Sequence, residues 1–214
     1  MGGLNELERA TVRNMREHLE EWILRGSKYE KHEAMHWYER AHDVAEYLAA
    51  EYGITLPQAA AVISVLSPGC PWEQNTTDAD KVCQAWHDKT YDATVTTYHP
   101  QLGKAYSILD HGKDKDAHGI ESMIGKVARK TKAFYWNILE PSARGPVTVD
   151  RWILRALGLP INRTTEQLYR LAEIAITQVA DKHSVLPQVM QAYIWVCIRR
   201  CQGELNVTRV LPGF

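Results

Sequence analysis

Apolar residues recur at helical spacing along most of the chain and predict an almost entirely α-helical protein. The helices are expected at 5–25, 31–52, 57–66, 77–86, 101–109, 129–139, 150–157, 164–183 and 187–200. The third contains the run AAAVISVL, which is apolar on every side and therefore predicts a fully buried helix. Two prolines and a glycine predict a loop over 67–75. Thr77 is expected to cap the helix that follows, with Asp80 at the capping-box position three residues later.

Length and composition are those of a globular protein with a full core. The chain has 214 residues, of which 45% are hydrophobic, enough for one domain or two small lobes. We expect residues 1–54 to form N-terminal helices that pack on a helical domain at 55–214, in one compact unit. Polar and β-branched residues at 88–100 predict a further loop.

Positive charge is concentrated in one short stretch, although the formal net charge of the whole chain is only −1. Residues 122–132 contain Lys126, Arg129, Lys130 and Lys132 and no acidic residue. Such a local cluster can bind phosphate even when the whole protein is nearly neutral. A solvated helix face is the alternative explanation.

Cysteine usage and the chain start predict a reduced cytoplasmic protein. The four cysteines Cys70, Cys83, Cys197 and Cys201 form no CxxC pair. The start MGGLNELERA has no apolar leader core, and no apolar run approaches the length of a membrane span. We therefore expect no membrane contact and no bound metal or other cofactor.

A lysine and an aspartate, each at or near the start of a predicted helix, are candidates for nucleophilic attack and charge stabilisation. Lys130 lies in a basic helix, and Asp150 follows twenty residues later where the run PVTV meets another helix. A neutral lysine amine can attack an electrophilic carbon, and burial or neighbouring cations favour loss of its proton. A carboxylate at a helix start can stabilise developing positive charge, although Asp150 would also serve as an ordinary N-cap.

Three segments of the chain resemble the helix-hairpin-helix DNA glycosylase superfamily, the endonuclease III-like group. They are AAVISVLSPGCPWEQNTTDADKV, IGKVARKTKAFYWNIL and GPVTVDRWILRALGL. The second is similar to the family string Leu-Pro-Gly-Val-Gly-Arg-Lys-Thr-Ala, and the third to its Val-Asp-Thr-His segment. The similarity covers roughly residues 55–200, and it also extends to phage-encoded, glycosylase-derived proteins implicated in thymine hypermodification.

The resemblance implies an all-α, two-lobed glycosylase-like fold with a degenerate helix-hairpin-helix and a central cleft. Lys130 matches the lysine that attacks the sugar C1′ in bifunctional members, and Asp150 matches their carboxylate. Gln74 matches the residue that fills the gap left by an extruded base. The implied partner is DNA, and a phage-encoded member would act in the host cytoplasm.

The chain departs from the family pattern at three places. Lys126 and Ala128 replace the two hairpin glycines, and a glycine stands instead at Gly125. Arg151 and Trp152 replace the Thr-His pair after the aspartate, and the four-cysteine iron–sulfur motif is absent from the sequence. The lost glycines weaken the expected grip on phosphate, which the charge of Lys126 partly restores.

The resulting hypothesis is excision of a flipped, modified or damaged DNA base by a glycosylase or glycosylase/lyase. An enzyme must extrude a base to reach it inside a duplex. Lys130 and Asp150 are the catalytic candidates, and the other candidates fall into two groups. DNA contacts are expected from Gln74, Lys126, Arg129, Lys132 and Arg151, and base stacking from Trp72, Tyr135 and Trp136. The alternatives are base modification without excision and DNA binding without catalysis.

A second motif, HEAMHWYERAH at 32–42, satisfies the HExxH zinc pattern. His32 and His36 share a helical face, and His42 has the spacing of the third metzincin ligand. Metzincins place a helix-breaking glycine where this chain has Glu39, and the apolar pattern here predicts that the helix continues. A zinc protease is therefore a remote alternative, and the residues are expected to form no metal site.

Overall fold

The computed structural model describes residues 3–159 and 165–202, and within them the only regular elements are helices. Helices account for 72% of the described residues, which contain no strand, so the all-α prediction is confirmed. The helices are α1 (Glu6–Arg25), α2 (Lys28–Met35), α3 (Trp37–Tyr52), α4 (Leu56–Leu66), α5 (Trp72–His87), α6 (His99–His111), α7 (Ala117–Ile124), α8 (Arg129–Leu139), α9 (Arg151–Ala156), α10 (Glu166–Lys182) and α11 (Pro187–Cys201).

Two of the predicted helices differ from the observed ones. The single helix expected over 31–52 is interrupted at His36, where φ is −107° and ψ is 6°, without a glycine or proline to mark the break. The loop expected over 67–75 ends at Pro71, because proline is tolerated at a helix start and α5 begins directly after it. Thr77 consequently lies inside α5, and its hydroxyl donates to the carbonyl of Glu73 instead of capping the helix.

The boundary expected for α10 was close to the observed one. Thr165 caps this helix by accepting a hydrogen bond from the backbone of Leu168, and Thr164 lies outside the described residues. In contrast, α7 was missed, because Asp116 caps a short helix at the end of a charged turn.

The chain divides into two compact units. Unit 1 consists of residues from Met1–Tyr38 and Arg144–Phe214, and unit 2 is Glu39–Ala143. The expected boundary between residues 54 and 55 stays a prediction.

Unit 2 is built around α4, which packs against α5, α6, α7 and α8. Every residue from Gln58 to Leu66 is buried, as the apolar run predicted. Thr55 and Gln58 form a capping box at its start. The Gln58 amide also donates to the carbonyls of Ile108 and Leu109, each at 3.0 Å, and thereby joins α4 to the last turn of α6.

Unit 1 is organised around α11, which packs against α1, α2, α9 and α10. The turn between α1 and α2 approaches α11 so closely that a Cβ at Gly26 would lie 2.1 Å from the Tyr193 hydroxyl. Glu8 joins α1 to α10 by accepting hydrogen bonds from Gln167 and Arg170. The pKa of Glu8 is lowered, chiefly by the hydrogen bond from the Asn5 backbone and next by that from Gln167.

No single helix of the described ranges combines the length and apolarity needed to cross a membrane. One bent pair, Lys28–Tyr52 with Leu56–Leu66, meets those criteria by length and composition only.

Replacing Ile63 with alanine should strongly destabilise the protein. Ile63 lies in the middle of α4 and is fully buried, so the change leaves a cavity and should lower the free energy of unfolding by about 2–5 kcal/mol. The control is Leu24→Ala on α1, where the side chain is 85% exposed and the expected change is within about 0.5 kcal/mol. Urea denaturation measures both, and equal effects would contradict the burial of α4.

Candidate nucleic-acid interface

A four-residue turn, Gly125–Ala128, joins α7 to α8 and projects from unit 2. Ile124 anchors its start in the core, whereas Val127 at its tip is 98% exposed. Gly125 has a φ of 129°, a backbone conformation that side-chain-bearing residues rarely adopt. The turn, which we call the hairpin, thus presents the exposed side chains of Lys126 and Val127 together with its backbone.

The start of α8 combines an uncapped helix end with positive charge. Ala128 occupies the N-cap position and supplies no side-chain hydrogen bond, and the first turn contains no acidic residue. Helix N-termini attract anions because their N–H groups point outward and the helix dipole is positive there. Lys126 lies at this end, and the Lys104 ammonium lies 3.7 Å from where a Cβ on Gly125 would be. The hairpin therefore has the electrostatics of an anion-binding turn.

Lys130 and Lys132 have different environments on α8. The Lys130 ammonium donates to the Ser67 hydroxyl at 3.2 Å and lies 5.9 Å from the centre of the Phe134 ring. Lys132 instead lies 3.7 Å from a Glu121 carboxylate oxygen on α7. Lys130 is thus held at the end of α4, while Lys132 joins α7 to α8. Because the two lysines are two positions apart on a helix, they lie on different sides of α8.

A buried carboxylate on α5 joins the first turn of this helix to the loops on either side of it. Asp78 is 1% exposed and accepts hydrogen bonds from the Gln74 amide at 2.7 Å and from the Thr96 backbone at 2.6 Å. The Cys70 thiol lies 3.9 Å from the same carboxylate. Burial, followed by the negative charge of Asp78, raises the pKa of this thiol to about 11. Gln74, the candidate gap-filling residue, therefore has its amide engaged with Asp78.

The three aromatic candidates differ in accessibility. Tyr135 is fully buried and donates its hydroxyl to the Ala117 carbonyl at 2.9 Å. Burial also raises the pKa of Tyr135 far above its usual range. Trp72 is partly exposed and contacts Phe134 edge-on, with ring centres 6.4 Å apart, and the partly exposed Trp136 lies against the exposed His118. Trp72 and Trp136 are the candidates with surface available for stacking.

Asp150 is the N-cap of α9 in unit 1. Its Oδ1 accepts hydrogen bonds from the backbone of Trp152 and Ile153, both at 2.9 Å. The segment before it is positioned by Tyr169, whose hydroxyl donates to the Val147 carbonyl and accepts from the Val149 backbone. The capping role suggested by the sequence is confirmed, and Oδ2 takes no part in the cap.

The structure brings some of the predicted residues together and places others in a different unit. Lys126, Arg129 and Lys130 share the hairpin and first turn of α8, and Lys130 and Trp72 both contact Phe134. Asp150 and Arg151 belong to unit 1. Sequence reasoning did not single out five further residues of unit 2, because their role depends on how exposed or buried each one is, which the sequence does not show. These residues are Ser67, Cys70, Asp78, Lys104 and Val127.

The histidines of the HExxH pattern form no cluster that could hold a metal. Across residues 3–159 and 165–202 there is no group of three or more His, Cys, Asp or Glu side chains suited to an ion. The His32 and His36 rings contact each other with centres 4.9 Å apart. His42 has one ring nitrogen 2.8 Å from the Ile138 carbonyl and the other 3.5 Å from Glu46.

The chain belongs to a family of unknown function (DUF7178), whose pattern matches residues 3–202. No curated protein and no solved structure matches it.

Replacing Asp78 with alanine should destabilise unit 2. The change removes a buried carboxylate and leaves the Thr96 N–H and the Gln74 amide without their acceptor. We expect the free energy of unfolding to fall by about 1.5–3 kcal/mol. Asp43→Ala, at an exposed position of α3, is the control and should change it by no more than about 0.5 kcal/mol. If the two variants unfold at the same urea concentration, the hydrogen bonds of Asp78 to Gln74 and Thr96 do not stabilise unit 2.

Proposed function

We propose that this DUF7178 chain binds DNA through the hairpin and acts on a base turned out of the duplex, as a helix-hairpin-helix glycosylase or glycosylase/lyase. One observation carries the proposal. Directly behind an exposed, uncapped and basic turn, the Lys130 amine is held by the Ser67 hydroxyl at 3.2 Å. A phosphate grip and a candidate nucleophile therefore lie within one turn of the same helix.

The hairpin suits a phosphate of the DNA backbone. Exposed N–H groups at a helix start and flanking ammonium groups both favour an anion. The family resemblance places glycines at Lys126 and Ala128, where the backbone itself approaches the phosphate. Here the side chain of Lys126 is exposed beside that position, so charge replaces part of the close backbone contact. Val127, at 98% exposure, would then be covered by the bound strand.

Lys130 would supply the covalent step. Its neutral amine would attack the sugar C1′, the bond from C1′ to the base nitrogen would break, and the base would leave with the bonding electrons and take up a proton. Ring opening of the resulting aminal gives a Schiff base, which permits strand cleavage by elimination. The hydrogen bond to Ser67 fixes the direction of the amine before the substrate binds.

Asp150 would stabilise the positive charge that develops on the sugar as the base departs. Its Oδ1 accepts both cap hydrogen bonds, so Oδ2 is the oxygen that would face this charge. The proposed architecture is the two-lobed glycosylase fold with a central cleft, as the family resemblance implies.

DNA binding without catalysis is the second candidate. Each of the two candidate catalytic groups already has a local structural role, Asp150 as a cap and Lys130 in a hydrogen bond to Ser67. Base modification without excision, as in the phage-encoded proteins that the sequence resembles, would use the same DNA surface.

Lys130→Ala should abolish borohydride trapping of the protein on DNA that contains an abasic site. The reagent reduces the Schiff base between the lysine and C1′ to a stable cross-link, and abasic DNA removes the unknown base from the experiment. Lys132→Ala is the matched control on the same helix and should retain the cross-link, because its partner is Glu121. A wild-type protein that gives no cross-link would exclude the lyase and favour a one-step glycosylase, base modification or DNA binding alone.

Asp150→Asn should abolish catalysis without unfolding the protein. Asparagine caps a helix about as well as aspartate, so this change removes the charge but preserves the hydrogen bonds to Trp152 and Ile153. Asp150→Ala also loses the cap and should cost about 1 kcal/mol of stability. Base release or abasic-strand cleavage is measured beside urea denaturation, and full activity in Asp150→Asn would show that the carboxylate has no catalytic role.

A further inference from the structure

Three arginine side chains of unit 1 surround a single indole ring. The guanidinium carbon of Arg155 lies 4.5 Å from the centre of the Trp152 ring, that of Arg151 5.7 Å and that of Arg199 5.8 Å. Arg199 is also 4.7 Å from the Trp195 ring. We call Trp152 and these three arginines the Trp152 cluster.

The cluster has a buried base and an accessible face. Trp152 is 4% exposed and Arg199 is 7% exposed, so both are fixed by the packing of α9 against α11. Arg151 and Arg155 are exposed and lie one helical turn apart on α9. Within the described part of the chain, neither of these two side chains makes an ion pair or a hydrogen bond.

Two like charges one helical turn apart call for an anionic partner. The guanidinium carbons of Arg151 and Arg155 both lie within 6 Å of the Trp152 ring centre, so their separation is on the order of the Debye length of ~10 Å and their repulsion is only partly screened. Contact with an aromatic face attracts each cation but does not neutralise it. Guanidinium groups stacked on an aromatic ring also keep their N–H donors directed outward at its edge.

We propose that Arg151 and Arg155, oriented on Trp152, form a binding site for a phosphate group of a nucleic-acid strand. Guanidinium N–H groups match phosphate oxygens in bidentate pairs, and contact with the Trp152 ring orients both side chains. Arg151 directly follows Asp150, so a phosphate bound here would hold the adjoining sugar within reach of that carboxylate. The nucleic-acid source of the phosphate rests on the proposed function, whereas the phosphate site itself does not.

A titration with inorganic phosphate tests the site without DNA. The indole N–H signal of Trp152, assigned with Trp152→Phe, is followed by nitrogen-15 NMR at constant ionic strength against sodium chloride. We expect a saturable shift with phosphate that disappears in Arg151→Gln/Arg155→Gln. The matched control is Arg9→Gln/Arg13→Gln, an exposed arginine pair with the same spacing on α1, which should retain the shift. A shift that is absent, or that also occurs with chloride alone, would overturn the site.

A second arm with a short single-stranded oligonucleotide identifies the source of the phosphate. Loss of the Arg151 and Arg155 charges should weaken binding about tenfold and reduce the slope of log affinity against log salt by roughly 1.4, the value for two phosphate contacts. The α1 control pair should retain wild-type affinity. A phosphate shift without this loss would overturn the nucleic-acid part of the inference and favour a free phosphate ligand.

Hairpin variants separate this inference from the proposed function. Lys126→Gln/Arg129→Gln should weaken oligonucleotide binding independently of the Trp152 cluster. If only the hairpin variant binds more weakly, the Trp152 inference is wrong and the hairpin proposal stands. If only Arg151→Gln/Arg155→Gln binds more weakly, the inference stands and the hairpin proposal is wrong.

Discussion

The complete burial of α4 is the constraint on which unit 2 depends. A helix that is apolar on all sides can remove its whole surface from water only when other helices enclose it. Here α5, α6, α7 and α8 do so, and their positions follow from that enclosure. Ser67 lies at the C-terminal end of the buried helix, and Lys130 lies at the start of one of the enclosing helices. The contact between them is thus a consequence of how the core is assembled.

Polar groups inside this core are used to hold the surrounding segments. The Gln58 amide donates hydrogen bonds to two carbonyls at the end of α6. The Asp78 carboxylate accepts hydrogen bonds from Thr96 in the loop before α6 and from Gln74 in the first turn of α5. Buried polar groups without partners are costly, so such groups specify one arrangement of the chain. These bonds join α4 to α6, and α5 to the loop before α6, within the unit that carries the hairpin.

The positive charges of this protein act locally, which reconciles the proposed partner with a net charge of −1. Lys126 and Lys104 lie at the hairpin of unit 2, and Arg151 and Arg155 lie on Trp152 in unit 1. In contrast, Lys132 and Arg170 pair with carboxylates and serve packing. Total charge therefore says little about this chain, whereas the environment of each cation separates candidate binding groups from structural ones.

Local signals in the sequence were sufficient for several elements. The limits of α8 were predicted, and Asp150 was predicted as a cap from its side-chain chemistry. The break at His36 and the short α7 were missed. Neither is marked by a strong local signal, because His36 stands in a run without glycine or proline, and α7 follows a charged turn.

The sequence by itself determined the helical class, the buried character of α4 and the concentration of cations around the start of α8, because periodicity, capping and charge are properties of neighbouring residues. Only the tertiary structure decided that Lys130 contacts Ser67, that Tyr135 is buried and that three arginines converge on Trp152. Lys130 and Ser67 are 63 positions apart, and Arg199 is separated from Trp152 by most of α10 and α11. Contacts between residues so far apart in sequence depend on how the helices pack, and the pattern of neighbouring residues does not show that packing.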